Sequence, residues 1–341
     1  MSVGASSYRE LPLITVGVTT YDRPELLKEC IGSILAQTYQ NFEIIIGNDF
    51  VQSPVSFESL SIDRDKRIHI INHPENIGAY KNNHFLLAAA NGDWFTWLAD
   101  DDLMHPDFLE IAYGVFSVNA VNAVFSNYVA AVSPAGVFPK PVQSQPVRLL
   151  RSPEFIDEYT FRTIRTVGSY GVFRRDLFEQ FSRVKRFGVG LPVYGDTFIP
   201  ILAASLGAVA YVDLDLVFLR THAGSRSASS ARLEDYSSAQ RDFMSEFETR
   251  CRGFLTRQAH QRQVRNMVKW FAADGWHVVC RGHLGVIRRL TTFFQYAIDT
   301  LLPMARDGQK LVLVMYMSKM VFGDSLRYLA ASLLRRLKLM F

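Results

Sequence analysis

Residues 14–50 read ITVGVTTYDRPELLKECIGSILAQTYQNFEIIIGNDF, and this stretch decides the fold. Residues 13–18 form a short apolar run rich in β-branched side chains, the pattern of a strand buried on both faces of a parallel sheet. Thr19, Thr20 and Tyr21 close it. A helix is expected at once, with Asp22 as cap, Glu25 three residues on, and Pro24 in the first turn where its missing N–H costs nothing. Leu26, Leu27, Cys30, Ile31, Ile34 and Leu35 then share one helical face. Phe42 to Ile46 repeats the strand pattern and ends in Gly47-Asn48-Asp49. Strand, helix and second strand make the opening unit of a parallel α/β sheet.

The same alternation continues downstream. Strands are expected over 67–71, 94–98 and 124–132, with helices over 82–90 and from Pro106-Asp107 onward. Trp94, Phe95 and Trp97 read as sheet packing. Residues 133–146 are rich in Pro and Gly and predict a surface excursion. Further strands are expected over 169–173, 209–212 and 216–219, and helices over 175–181 and 196–205. The small polar run at 224–232 reads as mobile, and everything from Leu233 onward has helical patterning. The reading therefore divides the chain into an α/β domain over 1–230, with halves at 11–110 and 111–230, and a helical region over 231–341.

Composition narrows the class. The 341 residues are 48% hydrophobic and 21% charged, which excludes a disordered chain. Three scattered cysteines form neither a disulfide framework nor a zinc cluster. With no leader-like start and no apolar run long enough to span a bilayer, a cytoplasmic protein is expected. The net charge is +4, yet from Arg281 to the end there are ten basic residues against three acidic ones. Leu326, Leu329, Ala330, Leu333, Leu334 and Leu337 form a stripe there, with Arg327, Arg335 and Lys338 on another side. Such a helix can rest on anionic lipid at the inner face of the membrane, pack on the α/β domain, or self-associate. No nucleic-acid partner is expected.

Neither GxGxxG nor GxxxxGK[ST] occurs, which argues against a dinucleotide-dependent dehydrogenase or a P-loop enzyme. Carboxylates at strand ends stand out instead. Asp49 follows the second strand and Asp100-Asp101-Asp102 the fourth, where ligands bind in open parallel sheets. Three adjacent carboxylates repel one another, and a divalent Mg²⁺ or Mn²⁺ relieves the conflict while holding phosphate oxygens. Helix capping by Asp101 or Asp102 is the other reading of the triplet.

The segments at 14–50, NIGAYKNNHFLLAAANGDWFTWLADDDLMHPDFL at 76–109, YGDTF at 194–198 and LRTHAGS at 219–225 resemble the inverting family 2 glycosyltransferases with the GT-A fold. The resemblance covers residues 11–225. It implies that Thr19, Tyr21, Asp49, Lys81 and Asp100 bind a nucleoside diphosphate sugar, with Asp49 favouring uracil or thymine over guanine and UDP-sugars as the first expectation. It also implies that Asp101 is the direct metal ligand, His222 a second metal or diphosphate contact, and Asp196 the general base. Ser169 and Tyr170 fall in the acceptor region. The expected reaction moves one sugar to a hydroxyl of a glycan or lipid-linked glycan. The QxxRW motif of processive synthases is absent.

Three departures from the family pattern matter: Asn48 stands where an aspartate is usual, Phe50 replaces a small residue, and Ala99 precedes the aspartate pair. They leave open a non-catalytic nucleotide-sugar binder of the same fold. A metal-dependent nucleotidyltransferase is a further alternative, although TTYDRPE is not the glycine-rich basic loop such an enzyme needs.

Overall fold

The computed structural model describes residues 11–132, 147–177, 194–221, 232–281, 286–305 and 307–322. Several sequence expectations lie outside these residues: the excursion at 133–146, most of the helix at 175–181, His222, the run at 224–232 up to residue 231, and the striped tail at 326–338. The described residues fall into two compact units that interleave along the chain. One holds residues 11–132, 147–149, 166–177 and 208–221. The other holds 150–165, 194–207 and the described residues from 232 onward. These units cut the chain elsewhere than at residue 230.

The first unit is a mixed sheet flanked by helices, as the alternating pattern requires. Its strands are β1 (Ile14–Thr20), β2 (Phe42–Asn48), β3 (Ile68–Asn72), β4 (Trp94–Ala99), β5 (Leu103–Met104), β6 (Ala123–Ala131), β7 (Val147–Leu150), β8 (Val172–Arg174) and β9 (Val209–Arg220). The order is β3-β2-β1-β4-β8-β6-β9-β5, with β7 beside β9. β1 to β4 run parallel, whereas β8 enters antiparallel between β4 and β6. The two closing strands expected over 209–212 and 216–219 are one continuous strand. It pairs with β6 on both sides of Asn127, where the register shifts.

Four helices of this unit are α1 (Pro24–Leu35), the single turn α2 (Phe57–Leu60), α3 (Ala79–Ala89) and α4 (Phe108–Val118). β1, β2, α1 and α4 enclose a core of Ile14, Val16, Val18, Leu27, Ile31, Ile44 and Leu109. Burying a side chain of this size is worth about 1.5–3 kcal/mol, so this layer fixes where the strands end. Trp94 stacks on Phe116 with ring centroids 3.6 Å apart, and Phe95 is fully buried, in line with a packing role.

One cap differs from expectation. Asp22 does not cap α1: its backbone takes a positive φ of 54°, Arg23 is the boundary residue, and no side chain caps the helix. The carboxyl therefore cannot meet the orphan N–H groups. The Asp triplet does not cap α4 either; Asp107 is the boundary residue there.

The second unit is helical. It comprises α5 (Glu154–Thr160), α6 (Gly195–Leu206), α7 (Leu233–Cys251), α8 (Arg257–Arg281), α9 (Val286–Tyr296), which runs on through a π-helical turn (Ala297–Leu301) and a short helical turn (Leu302–Met304), and α10 (Asp307–Phe322). A chain of buried polar groups ties them together. Tyr194, at the start of α6, donates to Asp274 Oδ2 at 2.8 Å and accepts from Gln240 Nε2 at 2.9 Å. The Tyr296 hydroxyl in turn donates to Gln240 Oε1. No helix among the described residues is long and apolar enough to cross a membrane.

Candidate active site

Parallel pairing sets the site. Thr20 lies opposite Asn48, and Thr19 opposite Ala99. The residues that follow, Tyr21, Asp49 and Asp100, therefore leave the sheet side by side at its carboxyl edge.

Asp49 is buried, and each of its oxygens accepts one bond from the loop ahead of α3. Its Oδ1 accepts from Ile77 N and its Oδ2 from Gly78 N, both at 2.7 Å. Gly78 has φ +82°, a conformation that an L side chain resists, and it forms the N-terminal boundary of α3. Close packing holds the same corner. Asn82 of α3 donates to Gly47 O at 2.8 Å, and a Cβ on Gly47 would come within 2.1 Å of Asn82 Oδ1. Lys81 is exposed on the first turn of α3.

The Asn48 departure has a local cause. Its Nδ2 faces Phe50 O at 3.2 Å, Ser53 O at 3.0 Å and Asn72 Oδ1 at 2.8 Å, while its Oδ1 accepts from Phe50 N at 3.0 Å. An aspartate could accept the last bond and none of the others. Phe50 meets Tyr21 edge to face at 5.0 Å, and Tyr21 remains half exposed. Thr19 is half-buried.

The three consecutive aspartates point to different partners. Asp100 is buried and accepts from Thr20 Oγ1 at 2.7 Å and Tyr21 N at 3.3 Å. Its pKa is raised, chiefly by burial, against the opposing pull of Thr20 and Arg23. Arg23 Nη1 reaches both Asp100 Oδ1 at 3.2 Å and Asp101 Oδ2 at 2.8 Å. Asp102 turns into the protein, accepting from the Tyr170 hydroxyl and, at 2.8 Å, from Arg220 N. Burial, helped by the neighbouring Asp101 charge, pushes Asp102 up to about 7.

Of the two residues that the resemblance puts in an acceptor region, Ser169 is half-buried, whereas Tyr170 is buried with its hydroxyl committed to Asp102. Asp196 belongs to the second unit, in the first turn of α6, where its side chain is open to solvent. Surrounding protein nevertheless strips enough hydration from it to raise its pKa. His222 lies outside the described residues.

Sequence reasoning missed Arg23 and Arg220. Arg23 had a signal: a triplet of aspartates at one strand end calls for a cation, and Arg23 is the basic residue just past the neighbouring strand end. Arg220 stands in the LRTHAGS segment, but its partners Asp101, Asp102 and Glu29 lie more than a hundred residues away in sequence, so its role was hidden.

Comparison with known proteins agrees with this geometry. Residues 15–181 match the family model described as "Glycosyl transferase family 2". An "Uncharacterized glycosyltransferase" of Rickettsia felis is 30% identical over 99 residues, 29% of this chain and 16% of that protein. Glycosyltransferase GlyG of Streptococcus pneumoniae is 28% identical over 117 residues, 34% of this chain and 39% of that protein. The chain thus spans well under half the length of these curated relatives. The crystal structure of S. aureus TarS 1–349 in complex with UDP-GlcNAc superposes with a TM-score of 0.58 at 13% identity, covering 91% of this chain and 88% of that one. Fold, strand-end carboxylates and family match coincide, and the domain over residues 15–181 belongs to glycosyltransferase family 2, built on the GT-A fold.

Proposed function

We propose that this protein transfers one sugar, with inversion, from a nucleoside diphosphate sugar to a hydroxyl of a glycan or lipid-linked glycan. The observation that carries the reading is the convergence of Tyr21, Asp49, Asp100 and Asp101 on the carboxyl edge of adjacent parallel strands. A UDP-sugar is the favoured donor: Asp49 presents carboxylate oxygens with lone pairs to spare beyond the two backbone bonds, matching a pyrimidine imide N–H. That the similarly folded TarS is seen with UDP-GlcNAc supports the same choice.

A divalent cation fits the donor set. One guanidinium nitrogen already stands between oxygens of Asp100 and Asp101, marking a position where positive charge is stabilised. Asp101, with the donor's phosphates, would hold Mn²⁺ or Mg²⁺ there, as one or two carboxylates commonly do. When bound, the ion supplies charge that offsets the departing diphosphate.

The chain's own residues do the rest. Thr20 and the Tyr21 N–H fix Asp100, Asp49 orders the 76–78 loop, and Tyr21 offers an exposed ring face to the base. Asp196 accepts the proton of the attacking hydroxyl; solvent access and a raised pKa suit that task. The sequence of the basic, leucine-striped tail supports an acceptor carried on lipid at an anionic cytoplasmic surface.

The non-catalytic alternative rests on Asn48, Phe50 and Ala99. Asn48 organises its loop and Phe50 packs on Tyr21, so neither requires lost activity as its explanation; nothing in the structure explains Ala99.

Calorimetric titration of UDP with Mn²⁺ and with EDTA, on the wild type and Asp101→Ala, tests the donor site. Metal-dependent binding that disappears in the variant is expected, followed by turnover of a UDP-sugar. Absence of UDP binding under both conditions would overturn the uridine assignment.

A further inference from the structure

The feature that the proposed reaction leaves unused is the double contact of Arg23. A single guanidinium nitrogen bridges the carboxylates of Asp100 and Asp101, at 3.2 and 2.8 Å. The aim of this side chain is built into the backbone. Asp22 before it is held at a φ of +54°, and Pro24 after it disfavours a helical Arg23, whose backbone lies at φ −139° and ψ 58°. The Arg23 carbonyl is anchored by accepting from Leu27 N at 2.9 Å. Its side chain keeps 28% of its surface open, whereas the two aspartate side chains keep 5% and 12%. The arginine thus has solvent to swing into, and the carboxylates do not.

Resting on the reading of Asp101 as the metal ligand, we propose that Arg23 is a placeholder cation. It competes with the divalent ion for the Asp100–Asp101 pair and makes metal uptake conditional on the donor's diphosphate. The charge count gives the reason. While the Arg23 guanidinium stays, it offsets part of the charge of the two carboxylates and occupies the position between them, so a dication is attracted less strongly. A divalent ion arriving alone must expel Arg23 into water and forfeit two charge-assisted hydrogen bonds. An ion arriving with a diphosphate brings several negative charges. These offer the displaced guanidinium a bidentate partner a few ångströms away. Metal and nucleotide are then coupled through one side chain, and the coupling is reciprocal. Asp102 takes no part, because its oxygens are committed to Tyr170 and Arg220.

The test measures Mn²⁺ binding directly, from the paramagnetic resonance signal of the free ion, with and without UDP. It uses the full chain as wild type, Arg23→Gln, Arg23→Lys and Asp101→Asn. In the wild type, weak Mn²⁺ binding that UDP tightens strongly is expected. Arg23→Gln should bind Mn²⁺ alone at least about tenfold tighter than the wild type, roughly 1.4 kcal/mol. The enhancement by UDP should shrink by a similar factor. Arg23→Lys, a point charge that bridges two carboxylates less well, should fall between, and it carries the comparison should Arg23→Gln fail to fold by circular dichroism. If the wild type and the arginine variants bind Mn²⁺ equally, while Asp101→Asn abolishes binding, the metal reading stands and the placeholder role is overturned. If UDP binds every variant and Mn²⁺ binds none, the metal reading falls and the placeholder role with it.

Discussion

The side-chain amide of Asn48 donates to Asn72 Oδ1 at 2.8 Å, across the ends of two paired parallel strands. Asn72 is itself locked to the loop, accepting from Val55 N at 2.7 Å and donating to Val55 O at 2.9 Å. One asparagine thus ties β2, β3 and the 50–55 loop together. Asn48→Asp, which restores the residue more usual in the family, should therefore destabilise this protein. The new carboxylate would face three acceptor oxygens, and about 1–3 kcal/mol is the expected cost of such unsatisfied burial. Thermal unfolding checks it; an unchanged or raised midpoint would contradict the assignment.

Asp49→Asn replaces one acceptor oxygen with an amide that faces a backbone N–H. The 76–78 loop should loosen, and UDP should bind at least about tenfold more weakly, near 1.4 kcal/mol. Calorimetry on a variant with a near-native unfolding midpoint separates the binding effect from loss of fold.

Asp196 must be ionised to take a proton. Because its pKa is raised above the ordinary 3.8, the acid limb of the kcat/KM profile should lie above that value, with activity falling as pH drops through it. Asp196→Asn should lower kcat by about 10²–10⁴-fold while leaving UDP affinity intact. Retention of wild-type turnover in that variant would remove Asp196 from the chemistry.

Tyr194 begins the helix that carries Asp196, and its hydroxyl stands between Asp274 and Gln240. Tyr194→Phe leaves the Asp274 carboxyl, already raised in pKa by burial, without its hydroxyl donor. A loss of about 1–3 kcal/mol is expected, read as a lower midpoint in urea.

Glu43, buried in β2, should make the protein acid-sensitive. Burial works to raise its pKa, yet bonds from Thr15 at 2.6 Å and from the backbone and side chain of Asn91 at 2.7 and 3.0 Å prevail, leaving it below the ordinary 4.5. A depressed folded-state pKa contributes stability that is present above pH 4.5 and lost as pH falls through the folded value. Glu43→Gln should be less stable than the wild type at pH 7, with the difference closing below pH 4. Denaturant midpoints across that range decide it.

The strand ends were legible because buried parallel strands are unbroken β-branched runs that stop abruptly at polar residues. Thr20, Asn48 and Ala99 end their strands one to two residues beyond the sequence-derived limits. The antiparallel entry of Val172–Arg174 between two parallel strands was not legible, since three residues carry no mark of direction. Asp22 misled for a related reason: it has the chemistry of a cap, but the positive φ that disqualifies it is imposed by the turn. Partners far apart in sequence were equally hidden. Tyr170 and Asp102 are 68 residues apart, and Tyr194 and Asp274 are 80. Only the fold brings them together.

Arg220 gives the aspartate turn a further significance. It donates its backbone N–H to Asp102 and its Nε to Asp101 O at 3.0 Å, and it pairs with Glu29 of α1, while Thr221 N bonds Ala131 O at 2.9 Å. The strand β9 is therefore moored at its end to the same three-residue turn that presents the carboxylates proposed to bind the donor. The bonds that hold the end of β9 and those that hold the aspartate turn are thus shared, and loosening one loosens the other.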